Sequence, residues 1–547
     1  MKFTAVSSAL LGLASTALAG ETSTRKTSYD YIIAGAGASG LVVAERFAQA
    51  GHSVLLVERG GRSFYSTGNR GDLMPWNSTI TMYDVPGMAY FTDTSPTTQW
   101  CRDIGASGGC LLGGSTMLNA MMYVKPRAAD FEGWPKGWRW EDGLSDAAET
   151  LYERLPGTIL ASSDGKRYDD TAYEVMSEFL SSNGWNEVDA LNDVESKDTV
   201  YTHPPWLISN GLRGGPVREI LPDAEALPNF NLQLNAMVLR AVRNGPIVTG
   251  VEVQHDDGSR EIIKLKKGGS VVLSAGTHST PRVLFNSGIG PTAQLKIVQS
   301  GSTNITLPPK SQWINLPVGQ FLKDHPIIVV PFQTKEPIET LPRAAWLEPS
   351  QENVDLFAQG GGLLAQSGQR LNFWKAIECS DGVTRYIQGT VNAPAGSNNT
   401  VEAKVYLTHG LTSVGTLEIT SEGRTSITKT PLLNTVGDRE AVKTFLDEIL
   451  SYTRKSGSVL TVPENMTSDS LLEVFYSGNH HLSSANMGAK NNGKSVVGPD
   501  ARVWGTKNLF IVDGSMHPEV PTGNTQASIM VAAVHAAKKI LKVSKKL

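Results

Sequence analysis

Cysteine is scarce in this chain: there are three in 547 residues, Cys101, Cys110 and Cys379. That excludes a small fold stapled by disulfides, and without any Cys-x-x-Cys pair no zinc site, and no metal, is expected. Cys101 and Cys110 could close a small loop in an oxidising compartment or remain two buried thiols, and the first option leaves Cys379 unpaired. An excess of one charge is lacking too. With 49 basic and 53 acidic side chains the net charge is −4 and no basic patch forms, which argues against nucleic acid as a partner. No stretch approaches the ~20 uninterrupted apolar residues of a membrane span. No unit of ~20–50 residues recurs, so solenoids and propellers are disfavoured.

What is present begins with an export signal. MKFTAVSSALLGLASTALAG has one lysine, a short apolar run and the small-x-small site Ala17-Leu18-Ala19. Residues 1–19 therefore read as a signal peptide, and the expected product is secreted, extracellular and soluble, with no membrane partner. Four Asn-x-Ser/Thr sequons, at Asn77, Asn304, Asn398 and Asn465, suit glycosylation of such a chain.

The stretch TSYDYIIAGAGASGLVVAERFAQAGHSVLLVERG holds a short apolar run, glycines at 35, 37 and 40, a helical segment, and a second apolar run ending in Glu58. Strand, glycine turn, helix, strand and acid in that order describe a βαβ dinucleotide site. Gly35 permits the turn, Gly37 lets backbone approach a pyrophosphate, and Gly40 lets helix pack on strand; Glu58 would accept a hydrogen bond from a ribose hydroxyl. From about 225 to 275 apolar and polar positions alternate, which suits strands of an antiparallel region, and HPIIVVPF, YIQGTV and EAKVYLTHG read as further strands. Residues 439–454 and the C-terminal TQASIMVAAVHAAKKILKV have helical spacing.

Four glycine-containing stretches follow that fingerprint: GGCLLGGSTMLNAMMYVKPRAADFEGW, SAGTHSTPRVLFNSGIGP, YSGNHHLSSANMG and NLFIVDGSMHPEVPTGNTQASIM. In this order they resemble the glucose-methanol-choline (GMC) oxidoreductases, a family of FAD enzymes. Within it the chain is most similar to the flavodehydrogenase domain of fungal cellobiose dehydrogenase, through SDGKRY, RNGPIVTGV, LPPKSQWINLPVG, LNFWKA, DGVTRYIQGTV and PTGNTQ. The resemblance implies an α/β fold, α+β overall, in which a Rossmann-like FAD domain (28–125, 221–320 and 471–547) alternates with a substrate domain on an antiparallel sheet (126–220 and 321–470). It implies FAD bound without a covalent link, since GGSTMLNAMMY offers no histidine for attachment, and no haem. Besides Gly35, Gly37, Gly40 and Glu58, the cofactor residues so implied are Gly113, Gly114, Ser115 and Asn119 along the flavin, Val238 at the adenine, Asp513 and Gly514 near the pyrophosphate, and Thr522 and Gln526 toward the ring.

The reaction implied is oxidation of an alcohol or sugar by hydride transfer to flavin, with an external acceptor such as oxygen, a quinone or a redox protein taking the electrons. The family's base stands eight residues before the Gly of a Met-Gly pair, which gives His480, and its partner eleven after the Asp of VDGS, which gives Asn524. Neutral imidazole suits proton abstraction near neutral pH. Arg385 and Asn479 match sugar-contacting positions, Tyr90 stands where relatives place a sugar-binding Glu, and His481 replaces a Trp in the pocket wall. His517 is expected as a turn or surface residue and His325, in KDHP, as structural. Losing the Glu weakens the outer sugar subsite. A non-sugar alcohol such as a secondary metabolite, or a non-redox lyase on the same fold, is the alternative.

Overall fold

The computed structural model describes residues 27–94, 99–338 and 340–544; the expected signal peptide lies outside them. Two large sheets organise the chain. In the first, Ser28–Ala34 lies parallel between Val54–Val57 and the end of Arg260–Leu273, with Phe230–Gln233 parallel at the outer edge beside Val54–Val57. Strand Arg260–Leu273 is shared: its start pairs antiparallel with Ile247–His255, and its end pairs parallel with Leu509–Ile511. The region from 225 to 275 is thus only partly antiparallel, because Phe230–Gln233 and the end of Arg260–Leu273 join the dinucleotide strands. Buried on both faces, Val54, Leu55, Leu56 and Val57 read as a continuous apolar run rather than an alternating one.

The second sheet runs in the order Leu460–Thr461, Pro326–Thr334, Thr400–Leu407, Thr384–Asn392, Leu371–Glu378, Val200–Thr202, Asn186–Glu187. Thr400–Leu407 shows why it has two faces. Val401, Ala403, Val405 and Leu407 are buried in a core shared with helix Val436–Thr453, whereas Glu402, Lys404 and Tyr406 alternate to the opposite side. Helices thereby cover one face and leave the other, more polar, to a cavity.

Helix Leu144–Tyr152, within a segment expected to belong to the substrate domain, packs instead on the C-terminal helix Gln526–Ser544, and Pro216–Glu219 packs on Ala38–Gln49. Their apolar faces, including Leu144, Ala148 and Leu151, complete the helix layer of the dinucleotide sheet. The hairpin Thr416–Ile419 and Thr425–Lys429 likewise sits against helices Gly276–Asn286 and Thr292–Ser300. Cys101 and Cys110 form a disulfide, and Cys379 is a buried free thiol.

Arg385 is a correction. Its side chain is fully buried at the start of Thr384–Asn392, where Nε donates to Asp438 Oδ1 (2.7 Å) and the two terminal nitrogens to Asp381 (2.9 and 2.8 Å). It is not among the residues that line the cavity, and it holds helix Val436–Thr453 to the sheet. Burial works against ionisation of Asp438, but hydrogen bonds from Ser413, Thr412 and Arg385 outweigh it and keep the carboxyl below the usual range. Removing one partner of such a pair leaves an uncompensated buried charge. Arg385→Ala should therefore lose about 3–5 kcal/mol of stability in equilibrium denaturation. Unchanged stability together with a raised KM for disaccharides would restore the sugar-binding role.

Candidate active site

A cavity of about 950 Å³ lies between the two sheets and is lined from both. At its dinucleotide end the glycine turn is close-packed. A Cβ on Gly35 (φ +101°) would stand 2.4 Å from the Ser274 carbonyl oxygen, and one on Gly40 would stand 1.9 Å from that of Gly35. Gly40 therefore serves packing and does not face the cavity. Gly37 is open toward it, with no atom within 4 Å of where a Cβ would be. Beside it the buried Ser39 hydroxyl, in the first turn of Ala38–Gln49, lines the cavity with no hydrogen-bond partner. An open glycine, an unpartnered hydroxyl and a helix N-terminus together fit a pyrophosphate.

Glu58 is buried, and its oxygens accept from the Ala36 and Gly60 N–H groups, each at 2.9 Å. Burial pushes its carboxyl up against the pull of those N–H groups. Gly114, Ser115, Asn119 and Val238 also line the cavity; Gly113 does not, but its N–H donates to the Ala36 carbonyl and ties this segment to the glycine turn. Asp513 and Gly514 reach the wall, with the Asp513 carboxylate accepting from Gly276, Thr280 and Ser515. Gln526 accepts from Asn119 at 2.5 Å. Thr522 is not in the wall: it is buried beneath, where its N–H and hydroxyl donate to Asp130 and its carbonyl accepts from Trp374. It shapes the turn that presents Asn524.

At the other end stand His480 and Asn524, 3.2 Å apart from Nε2 to Nδ2. Gln388 donates to Asn524 Oδ1 (2.9 Å), so the Asn524 amide turns its NH₂ toward His480, whose Nε2 accepts. That leaves the His480 proton on Nδ1, which faces His325 Nδ1 at 3.0 Å. His480 is thus held in one tautomer from both sides. Its ring stacks on Tyr406, with centroids 5.9 Å apart.

Asp324 shapes the loop that carries the base. Oδ1 accepts from the backbone N–H groups of His325 (2.9 Å) and His480 (2.8 Å), and Oδ2 from the Ser477 hydroxyl (2.5 Å). Asn479, between them, takes the left-handed conformation (φ +54°) that Asn tolerates. Burial pushes the Asp324 carboxyl up to about 6, opposed by Ser477, the His480 charge and the N–H groups. His481 lines the cavity, but its ring is turned edge-on to His278 and its Nε2 lies 3.4 Å from Asp324. Burial lowers His481 to about 4, so it is uncharged near neutrality.

Tyr90 and Asn479 line the cavity together with His480 and Asn524. His517 is in neither wall nor surface; it is buried with its ring edge-on to Trp134. The residues that sequence reasoning missed are Asp324, Gln388 and Tyr406, together with the contact of His325 with His480. Their signal was present as an Asp-His pair in KDHP and as alternating polar residues in YIQGTV and EAKVYL.

Two GMC oxidoreductase family models match this chain, one over residues 29–327 and one over residues 412–533. The oxygen-dependent choline dehydrogenase of Paraburkholderia xenovorans is 25% identical over 554 residues, covering 94% of each chain. Among solved structures, a formate oxidase of Aspergillus oryzae superposes with a TM-score of 0.74 at 19% identity, covering 95% of this chain and 99% of that one. A fungal aryl-alcohol oxidase gives 0.71 at 18% identity, covering 94% and 99%.

The tautomer can be observed directly. In ¹⁵N-histidine-labelled protein near neutral pH, His480 should show a protonated Nδ1 and an unprotonated Nε2, and His325→Phe should weaken that bias. A protonated Nε2 in the unaltered protein would contradict the arrangement.

Proposed function

Because this chain belongs to the GMC oxidoreductase family, FAD enzymes that oxidise CH–OH donors, we propose that it is a secreted alcohol oxidoreductase whose base is His480. The observation that carries this is the His480 and Asn524 pair in the cavity wall, in which His480 Nε2 is the unprotonated nitrogen and accepts from Asn524 Nδ2. FAD, when bound, supplies the hydride acceptor, and Glu58, Gly37, Ser39, Gly114, Ser115, Val238 and Gln526 are the residues placed to hold it. A substrate hydroxyl that takes the place of Asn524 as donor to His480 Nε2 gives up its proton there as the hydride leaves its carbon. Asn524 Nδ2, fixed by Gln388, holds the hydroxyl oxygen in register, which removes much of the orientational barrier. His325 Nδ1 accepts from the far nitrogen of the base and so stabilises the imidazolium that forms.

The likeness to cellobiose dehydrogenase extends to this pair and to Asn479, not to an outer sugar subsite. The burial of Arg385 and the place of Tyr90 in the wall, at the position where relatives are expected to carry the sugar-binding Glu, favour a smaller, non-sugar alcohol, with electrons passing on to an external acceptor. Export is supported by the N-terminal sequence, by the Cys101–Cys110 disulfide, and by sequons that are exposed at Asn304, Asn398 and Asn465 and half-buried at Asn77.

His480→Ala should keep bound, yellow FAD and lose about 10²–10⁴-fold in anaerobic flavin reduction by alcohols. Near-normal reduction would sink the assignment. A second expectation concerns pH. Burial lowers His480 more than the Asp324 charge raises it, and only neutral imidazole takes a proton, so activity is present above the folded pKa and lost as pH falls through it. The acid limb of the reduction rate should fall below the ordinary imidazole value of about 6.5. A limb above it would assign the base elsewhere.

A further inference from the structure

Four cationic side chains line the cavity. Arg59 and Arg282 both engage Asp103 and Arg102 is exposed to solvent, whereas Lys404 is half-buried and makes no hydrogen bond or ion pair among the described residues. It projects from Thr400–Leu407 on the face that also carries Tyr406, opposite Thr390 of the neighbouring strand. Its Nζ lies 5.5 Å from the centroid of the Tyr90 ring. Burial lowers its pKa, and Glu402, two residues back on the same face, offsets this only at long range. An ammonium drawn out of water without a hydrogen-bonded counterpart is unfavourable, and the face of one tyrosine compensates only in part.

The groups around it do not meet the need. Thr390 Oγ1 already accepts from Asn372, and the Gln369 side chain is committed to Trp206 and the Ala120 carbonyl. The missing counterpart is an anion that comes with the ligand. Lys404 and Tyr406 are two residues apart, about 7 Å along the strand. Tyr406 stacks on His480, and Lys404, Tyr406, Tyr90 and His480 line the same cavity, so one ligand there can meet both the ammonium and the imidazole.

We propose that Lys404 selects alcohols that carry a carboxylate, binding that group while the hydroxyl meets His480 and Asn524. The inference rests on the alcohol-oxidising reading and narrows it to hydroxy acids, in which several bonds or one aromatic ring separate the two functions. Lys404 is thereby a specificity-determining residue and takes no part in proton or hydride transfer.

The test uses FAD-loaded enzyme with para-hydroxymethylbenzoate and its neutral counterpart, para-hydroxymethylbenzamide, and measures benzoate binding from the change in the flavin spectrum. The unaltered enzyme should favour the acid by at least about tenfold in kcat/KM, and Lys404→Met should lose that preference chiefly through KM. Benzoate should bind at least about tenfold more weakly to Lys404→Met, while Lys404→Arg retains both properties. No preference for the acid in the unaltered enzyme, or a preference and benzoate affinity that survive in Lys404→Met, would overturn the proposal. If neither alcohol reduces the flavin yet benzoate binding depends on Lys404, the anion site stands and the alcohol reading falls.

Discussion

A single buried carboxylate, Asp324, holds the end of the molecule where chemistry is placed. Its two oxygens accept from His325, His480 and Ser477, and so join the start of a sheet strand to a loop more than 150 residues later. Gly478 donates to the His325 carbonyl and Leu482 pairs with Lys323, so the loop is pinned along its length. Each of these is a hydrogen bond made away from water, where an unmade one is expensive, and the loop has few other conformations that would satisfy them all. The left-handed Asn479 is the strain that this network holds in place.

The division of labour between the sheets follows from their residue patterns. The parallel strands around Ser28–Ala34 are apolar on both faces and offer only their ends and turns to a ligand, which is where backbone N–H groups can meet phosphate. The antiparallel strands around Thr400–Leu407 alternate, so one face can bring Lys404 and Tyr406 to the cavity and Gln388 to Asn524, while the other builds a core with Val436–Thr453. Gln388 shows the consequence: a side chain on a rigid strand orients the amide of Asn524, which sits on a turn. The buried Asp130 supports that turn from below through Thr522.

Much of this was legible in the sequence where function depends on local order. The glycine fingerprint, Glu58, and the spacing that singles out His480 over His481 are all read along the chain, and the cavity gathers Gly37, Glu58, His480 and Asn524 in one place. Arg385 went astray because a motif match says nothing about which way a strand residue points, and Asp381 and Asp438, its true partners, come from a turn and a helix. Thr522 failed for a similar reason, since one residue in a turn decides between the wall and the layer beneath. Asp324 does not stand out in the sequence and His325 reads there only as structural, because their meaning lies in contacts with residues 477–480; Lys404 does not stand out because one lysine in a strand is ordinary until its surroundings are known.

The account rests on Asp324 organising the base rather than only stabilising the fold. The most direct measurement is the limiting rate of anaerobic flavin reduction by an alcohol substrate in Asp324→Ala that retains its full complement of bound FAD. The expected result is a fall of at least about 100-fold in that limiting rate, with the acid limb of its pH profile displaced. A limiting rate and profile like those of the unaltered enzyme would show that His480 is positioned without Asp324, and would contradict the account.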